Sequence, residues 1–234
     1  MARVRTVDLG SPFIADLSDV CEILFVRHGE QEFIKNMPIA DGVDAPLTEL
    51  GRRQAEAVGE RLAEYAIDAV YSSPLVRAAE TGDAIARHHG LDVPRLDDLS
   101  EINLWHKLPQ EKGLLDSLSP DELRSIMRDG NRTRLWASYP YCEPRDPFRD
   151  RVVNAVDQII ADHHGDRVVL ACHGGVINAY LAHISESPLD QMCSLHHTSI
   201  SVVRGRDDHR RTVQVNDFAH VLSFQNELNP LNAL

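Results

Sequence analysis

The sequence predicts an α/β fold on a mostly parallel sheet, and three observations carry that reading. Short apolar runs alternate with segments of helical spacing, the pattern of strands joined by crossover helices. The first run, Glu22-Ile23-Leu24-Phe25-Val26, reads as a buried strand and ends at Arg27-His28-Gly29. A later run, Val168-Val169-Leu170-Ala171, ends at His173-Gly174-Gly175 in the same way. Both strand ends therefore present an imidazole beside a glycine, where the backbone can turn sharply or approach a ligand.

The elements follow in order. Beyond Gly29 a polar loop leads to Pro46-Leu47-Thr48, and Thr48 is a good helix N-cap. The next helix places Leu50, Gln54 or Ala55, Val58, Leu62 and Tyr65 on one face. Asp68 to Ser72 reads as a strand. Ser73-Pro74 reads as a helix entry, with the helix running to His89 and stopping at Gly90. A short strand is expected over Val93 to Leu96, with Glu101 just beyond. Residues 102–146 mix aromatics, prolines and charges, and read as an inserted cap with one short helix near Pro120 to Arg128. Phe148, Val152, Ala155 and Ile159 mark an amphipathic helix, and another runs from Gly174 to His183. Ser199–Arg204 and Thr212–Val215 read as closing strands, an antiparallel pair around a polar turn.

The organisation expected is an extension over residues 1–20, one domain over 21–222 and a tail over 223–234. The formal net charge of −12 argues against nucleic acid as a partner, since a phosphate backbone needs a basic face. Asp8, Asp16 and Asp19 interrupt the first twenty residues, so no secretory signal is read there. No apolar stretch is long enough for a membrane span. The four cysteines lack any CxxC spacing, which suits reduced thiols and a cytoplasmic location. Cys172, beside His173, is a nucleophile by position or a small buried strand-end residue; free cysteine is mostly core. Three His-His pairs (88–89, 163–164, 196–197) invite a metal reading, but adjacent helix residues do not face one another. No metal and no cofactor are expected.

In open α/β sheets ligands bind beyond the carboxyl ends of the strands. Arg27 and His28, Ser72 and Ser73 with Arg77, Glu101, and His173 each follow a predicted strand. Two arginines, two histidines and one carboxylic acid at one rim fit phosphoryl transfer. Arginine makes bidentate contacts to phosphate oxygens, and histidine can carry the phosphoryl group covalently.

With these residues in place the chain resembles the histidine phosphatase superfamily, which includes the phosphoglycerate mutases. The matching pieces are Arg27-His28-Gly29-Glu30, Pro46-Leu47-Thr48 with Gly51 and Gln54-Ala55, Ser72-Ser73-Pro74-Leu75 with Arg77-Ala78 and Thr81, Glu101, and His173-Gly174-Gly175-Val176. They run in family order. The resemblance implies a three-layer α/β/α sandwich of phosphoglycerate mutase type. It implies His28 as nucleophile, with Arg27, Arg77 and His173 neutralising the phosphoryl oxygens and the N–H of Gly174 as a further donor. Glu101 would be the proton donor, with Asp97 and Asp98 as neighbouring competitors. The substrate implied is a small phosphorylated molecule. Gln31 and Phe33 are candidate substrate contacts, and Trp105 and Tyr141 candidate pocket residues.

Two departures bear on activity. Gln31 and Ile34 stand where the family often has a hydroxyl residue and an asparagine, with Asn36 two residues later. The sequence after Glu101, Ile102-Asn103-Leu104-Trp105-His106, lacks the Trp-Glu-Gly segment of the mutases. The expected activity is hydrolysis of a phosphomonoester. The alternatives are mutase-type phosphoryl transfer and a catalytically weak phosphate-binding regulatory module. Specificity is expected to reside in residues 30–45 and 102–146. A homodimer is compatible with the sequence.

Overall fold

Strand β1 (Cys21–Arg27) lies at the middle of a five-stranded sheet, hydrogen-bonded on both edges. Its companions are β2 (Ala69–Ser72), β3 (Arg167–Cys172), β4 (Ile200–Arg206) and β5 (His209–Asp217), in the order β2-β3-β1-β4-β5. The computed structural model describes residues 19–32 and 37–224. Among them the helices are α1 (Ile39–Val43), α2 (Glu49–Leu62), α3 (Val76–Ala86), α4 (Leu114–Ser117), α5 (Pro120–Thr133), α6 (Arg145–Asp162) and α7 (Gly174–Ile184).

Alternation along each strand builds the three layers. Ile23, Phe25, Val168 and Leu170 point to one face and pack with Phe148, Val152, Val156, Val176 and Ile177 of α6 and α7. Leu24, Val26, Val70 and Val169 point to the other face and pack with Val58, Leu62 and Ile85 of α2 and α3. The central strands are buried on both faces, which is why their sequences read as continuous apolar runs. Glu22 ties three strands at the far end of the sheet, accepting from Arg167 Nε at 2.6 Å and Arg204 Nε at 2.7 Å.

The sheet is mixed rather than mostly parallel. β1, β2 and β3 are parallel, but β4 runs antiparallel to β1, and β5 antiparallel to β4. After α7 the chain does not cross back under the sheet. It passes through residues 185–199 above the carboxyl end of β1 and enters β4 from there, with Ile200 opposite Val26. The expected closing pair is this β4–β5 hairpin, turning at Asp207 and Asp208.

Three local expectations change. Val93–Leu96 is not a strand: Pro94 has no N–H to give, and a single parallel bridge joins Arg95 to Ser72. The helix after Ser73-Pro74 starts at Val76 with no side-chain cap from Ser73. The Val76 N–H goes instead to Asp44 Oδ1 at 2.6 Å, while Ser73 is drawn into the site described below. The cap helix extends to Thr133, five residues past the expected end at Arg128, entered through a Ser119/Glu122 capping box. Thr48 caps α2 as read, its hydroxyl accepting from Gly51 N–H at 2.9 Å. Leu50 is only half-buried, and Tyr65 lies beyond the end of α2. No helix among the described residues is long and apolar enough to cross a membrane.

Candidate active site

The register of β1 and β3 brings the two strand-end histidines together. Arg27 lies opposite Cys172, and the His28 N–H donates to the Cys172 carbonyl at 2.9 Å. Neighbouring parallel strands are about 4.8 Å apart, and the His28 and His173 rings sit 5.1 Å apart between centroids. Both rings are buried.

The His28 ring is fixed in a chemically specific state. Its Nδ1 lies 2.6 Å from the Gly29 carbonyl, which can only accept, so Nδ1 carries the proton. Nε2 is left with the lone pair. Burial first, then the charges of Arg77, His173 and Arg27, hold the ring's pKa well below its ordinary value. At neutral pH His28 is therefore an uncharged imidazole with a nucleophilic Nε2.

The loop after His28 is held by close backbone approach. A Cβ on Gly51 would stand 2.0 Å from the Glu30 carbonyl oxygen, so α2 reaches this loop only with glycine there. Glu30 N–H donates to Gln54 Oε1 at 2.8 Å, and Thr48 N–H to the Glu30 carbonyl at 2.9 Å. Gly29 N–H donates to Thr81 Oγ1 at 3.2 Å. Thr48, Gln54 and Thr81 thus shape the loop from behind.

Two arginines, Arg77 buried and Arg27 half-buried with its Nε atom inside, face this histidine pair. Arg77 Nη1 donates to the Val43 carbonyl at 2.6 Å, and Arg27 Nη1 donates to the Leu195 carbonyl. Neither forms an ion pair with a carboxylate among the described residues, and the Nε atom of each is buried without a hydrogen-bond partner. Burial lowers the Arg27 pKa to about 10, with Glu101 opposing and Arg77 reinforcing the shift. Arg77 is lowered for the same reason. His173 accepts a third constraint: its Nε2 lies 2.8 Å from Ser73 Oγ. The Ser73 oxygen already accepts from Leu75 N–H at 3.2 Å, so its own proton is available to Nε2. Nδ1 of His173 then carries the ring proton, and it too is buried without a partner.

Glu101 reaches the site through the start of α7. Its Oε2 accepts from Gly175 N–H at 3.1 Å and its Oε1 from Ile102 N–H at 2.9 Å. A Cβ on Gly175 would lie 2.2 Å from Glu101 Oε1, so only glycine lets the carboxyl group dock there. Burial raises the Glu101 pKa; the two N–H groups, Arg77 and Arg27 offset part of that rise. Asp97 and Asp98 are exposed on a 3-10 turn, which leaves Glu101 as the carboxyl group of this site. Gly174 opens α7, where its N–H has no intrahelical acceptor.

The structure thus brings together Arg27, His28, Arg77, Glu101, His173 and Gly174. Gln31 bridges to Leu47 and lines the adjoining cavity with Trp105. Tyr141 stays outside that lining, and Phe33, Ile34 and Asn36 lie outside the described residues. Cys172 is core: burial pushes its thiol pKa up, away from a reactive thiolate. Sequence reading missed His197, whose ring lies 5.8 Å from that of His28. It also missed Thr198, whose N–H reaches the Arg27 carbonyl at 3.0 Å from a left-handed φ of 56°. Both belong to the link into β4, and only that strand's direction places them here. His163 bonds Tyr71 and Asp166, and His196 stacks on Phe218. Among the described residues no group of three or more histidine, cysteine or acidic side chains is arranged to hold a metal ion.

The model of the histidine phosphatase superfamily (branch 1) matches residues 23–218 of this chain. The chain is 34% identical over 215 residues to "Phosphoglycerate mutase-like protein 4" of Arabidopsis thaliana, covering 90% of this chain and 91% of that protein. It is 31% identical over 214 residues to "Metal-independent phosphoserine phosphatase" of the same plant, covering 88% and 85%. In fold it resembles a mycobacterial glucosyl-3-phosphoglycerate phosphatase, with a TM-score of 0.66 at 24% identity over 84% of this chain and 99% of that one.

Proposed function

The chain belongs to the histidine phosphatase superfamily, and on that premise we propose that it hydrolyses a phosphomonoester through a phosphohistidine on His28. The observation that carries this reading is the set of three buried N–H groups around that ring without protein partners: Arg27 Nε, Arg77 Nε and His173 Nδ1. Buried cations without counter-ions are electrostatically unfavourable, and a phosphate dianion relieves that while accepting all three donors.

The chemistry follows from the proton positions. His28 Nε2 attacks phosphorus, the ester P–O bond breaks, and its electron pair leaves with the oxygen. Protonated Glu101 gives that oxygen its proton, releasing the alcohol. The guanidinium groups and the His173 N–H stabilise the charge on the equatorial oxygens. A water molecule then attacks phosphohistidine, giving a proton to the Glu101 carboxylate, and Nε2 leaves with its electron pair as inorganic phosphate departs. The raised pKa of Glu101 suits its first role.

The test is to supply a labelled phosphomonoester and trap the protein by acid-free denaturation. The wild type is expected to show acid-labile label and steady phosphate release. His28→Ala is expected to lose both, with turnover falling on the order of 10⁴-fold or more. An active His28→Ala protein sinks the reading. Isomerisation of 3-phosphoglycerate with a bisphosphoglycerate primer, faster than phosphate release, makes the protein a mutase instead.

A further inference from the structure

Arg77 and Glu101 also line a cavity of about 440 Å³, whose lining does not include His28 or His173. Its volume lies within the range of small-molecule sites. Its apolar wall includes Ile39 and Val43 of α1, Leu104 and Trp105 of the cap loop, and Leu114 and Leu123 of the cap helices. Arg77 is the one cation among the described lining residues, and the reading above gives its guanidinium to the phosphoryl group. The other polar groups are Gln31, Glu32 and Asn103 besides Glu101. Asn103 Oδ1 is already taken by Trp105 N–H at 3.0 Å.

This wall is braced. Ile39 N–H donates to the Lys112 carbonyl at 2.9 Å and Ala40 N–H to the Gln110 carbonyl at 3.1 Å, sewing α1 to the cap. Gln110 Nε2 in turn reaches the carbonyls of Trp105 at 2.9 Å and Leu108 at 2.7 Å. The apolar space is therefore preformed, and the leaving group of a bound phosphomonoester has to extend into it from the Arg77–Glu101 end.

We infer that the substrate is a phosphomonoester with an uncharged, apolar leaving group, such as a hexyl-sized or aromatic alcohol, and not a carboxylate-bearing phosphoester. The inference rests on the phosphohistidine reading above. A second anion placed in this cavity loses its water, meets the Glu32 carboxylate and, among the described lining residues, finds no cation besides Arg77. An alkyl chain there gains with each methylene group removed from water.

The experiment compares kcat/KM for hydrolysis of n-hexyl phosphate with those for phosphoserine and 3-phosphoglycerate. All three leave as alkyl alcohols, so leaving-group reactivity does not set the ratio. Hexyl phosphate is expected to be favoured by about 10- to 100-fold. The Leu114→Ala/Leu123→Ala double variant is expected to shrink that ratio by about tenfold. Both leucines are half-buried, and a ratio measured on one sample is unaffected by any fraction that fails to fold. Equal or faster hydrolysis of phosphoserine or 3-phosphoglycerate overturns the inference and leaves the phosphohistidine reading intact. So does a ratio that the double variant leaves unmoved. Failure to release phosphate from any ester, with no His28-dependent phosphoprotein, defeats both readings.

Discussion

At the carboxyl ends of β1 and β3 the site side chains are fixed by specific hydrogen bonds. His28 is held by the Gly29 carbonyl and, through its backbone, by Cys172; Arg77 is held by Val43, and Glu101 by two N–H groups. Across the cavity, the cap helices contribute half-buried leucines held by packing, at the surface of a segment whose local cohesion is a capping box and a few loop hydrogen bonds. The difference follows from the forces involved. Burying charge requires donors and acceptors placed to fractions of an ångström, whereas burying hydrocarbon requires only matching volume. Changes in the strand-end pocket should therefore cost orders of magnitude in rate, and changes in the cap should move selectivity or stability modestly.

The largest effect short of losing His28 is expected at Glu101. Glu101→Gln should lower turnover of an alkyl phosphate by about 10²- to 10⁴-fold. With 4-nitrophenyl phosphate, whose leaving group needs no proton, phosphoenzyme formation should fall far less. The pH profile sharpens the assignment. A general acid works only while protonated, so the rate of phosphoenzyme formation falls as pH rises through a pKa held above the ordinary carboxylate range. That alkaline limb should disappear in Glu101→Gln. A limb that persists unchanged would assign the proton to another group.

Gly175→Ala comes next. The new Cβ would overlap Glu101 Oε1, so the carboxyl group must move. A displacement of about 1 Å costs on the order of 10²-fold in rate. The loss should appear in kcat more than in KM, and should be smaller for 4-nitrophenyl phosphate than for an alkyl ester. Equal losses for both esters would mean that the phosphate pocket itself had shifted.

The smallest effect tests the cap. Ser119→Ala removes the acceptor for the Glu122 N–H and breaks the capping box of α5. It should cost about 1 kcal/mol in denaturant unfolding. kcat/KM for a compact phosphoester should change by less than about twofold, because the phosphate pocket does not depend on that turn. A large catalytic loss would show that the two regions are coupled more tightly than their contacts imply.

The pocket was legible in the sequence because its residues sit at strand ends with local punctuation. Arg27-His28-Gly29 and His173-Gly174-Gly175 each terminate an apolar run, and parallel strands bring such ends to one rim whatever lies between. Arg77 was legible as a helix residue just beyond a third strand. Ser73 was legible as a turn residue, but not as the partner of His173, since that bond spans a hundred residues of sequence. His197 stood out only as one of a His-His pair, and Thr198 gave no local signal. The cap was the least readable region: α5 was only partly anticipated, and the leucines of the cavity wall look like ordinary helix-core residues.

By itself the sequence determined the α/β class and the strand ends at which arginine and histidine, residue types able to bind and attack phosphate, are gathered. Those properties are encoded by short-range patterns of apolar runs, glycines and caps. The tertiary structure alone decided that β4 runs antiparallel, and so brings Leu195, His197 and Thr198 over the site. It alone decided that Glu101 docks against Gly175, and that α1 and the cap enclose an apolar cavity at the mouth of the pocket. Each of these depends on side chains and backbone far apart in the chain, meeting at distances that no local pattern of residues encodes.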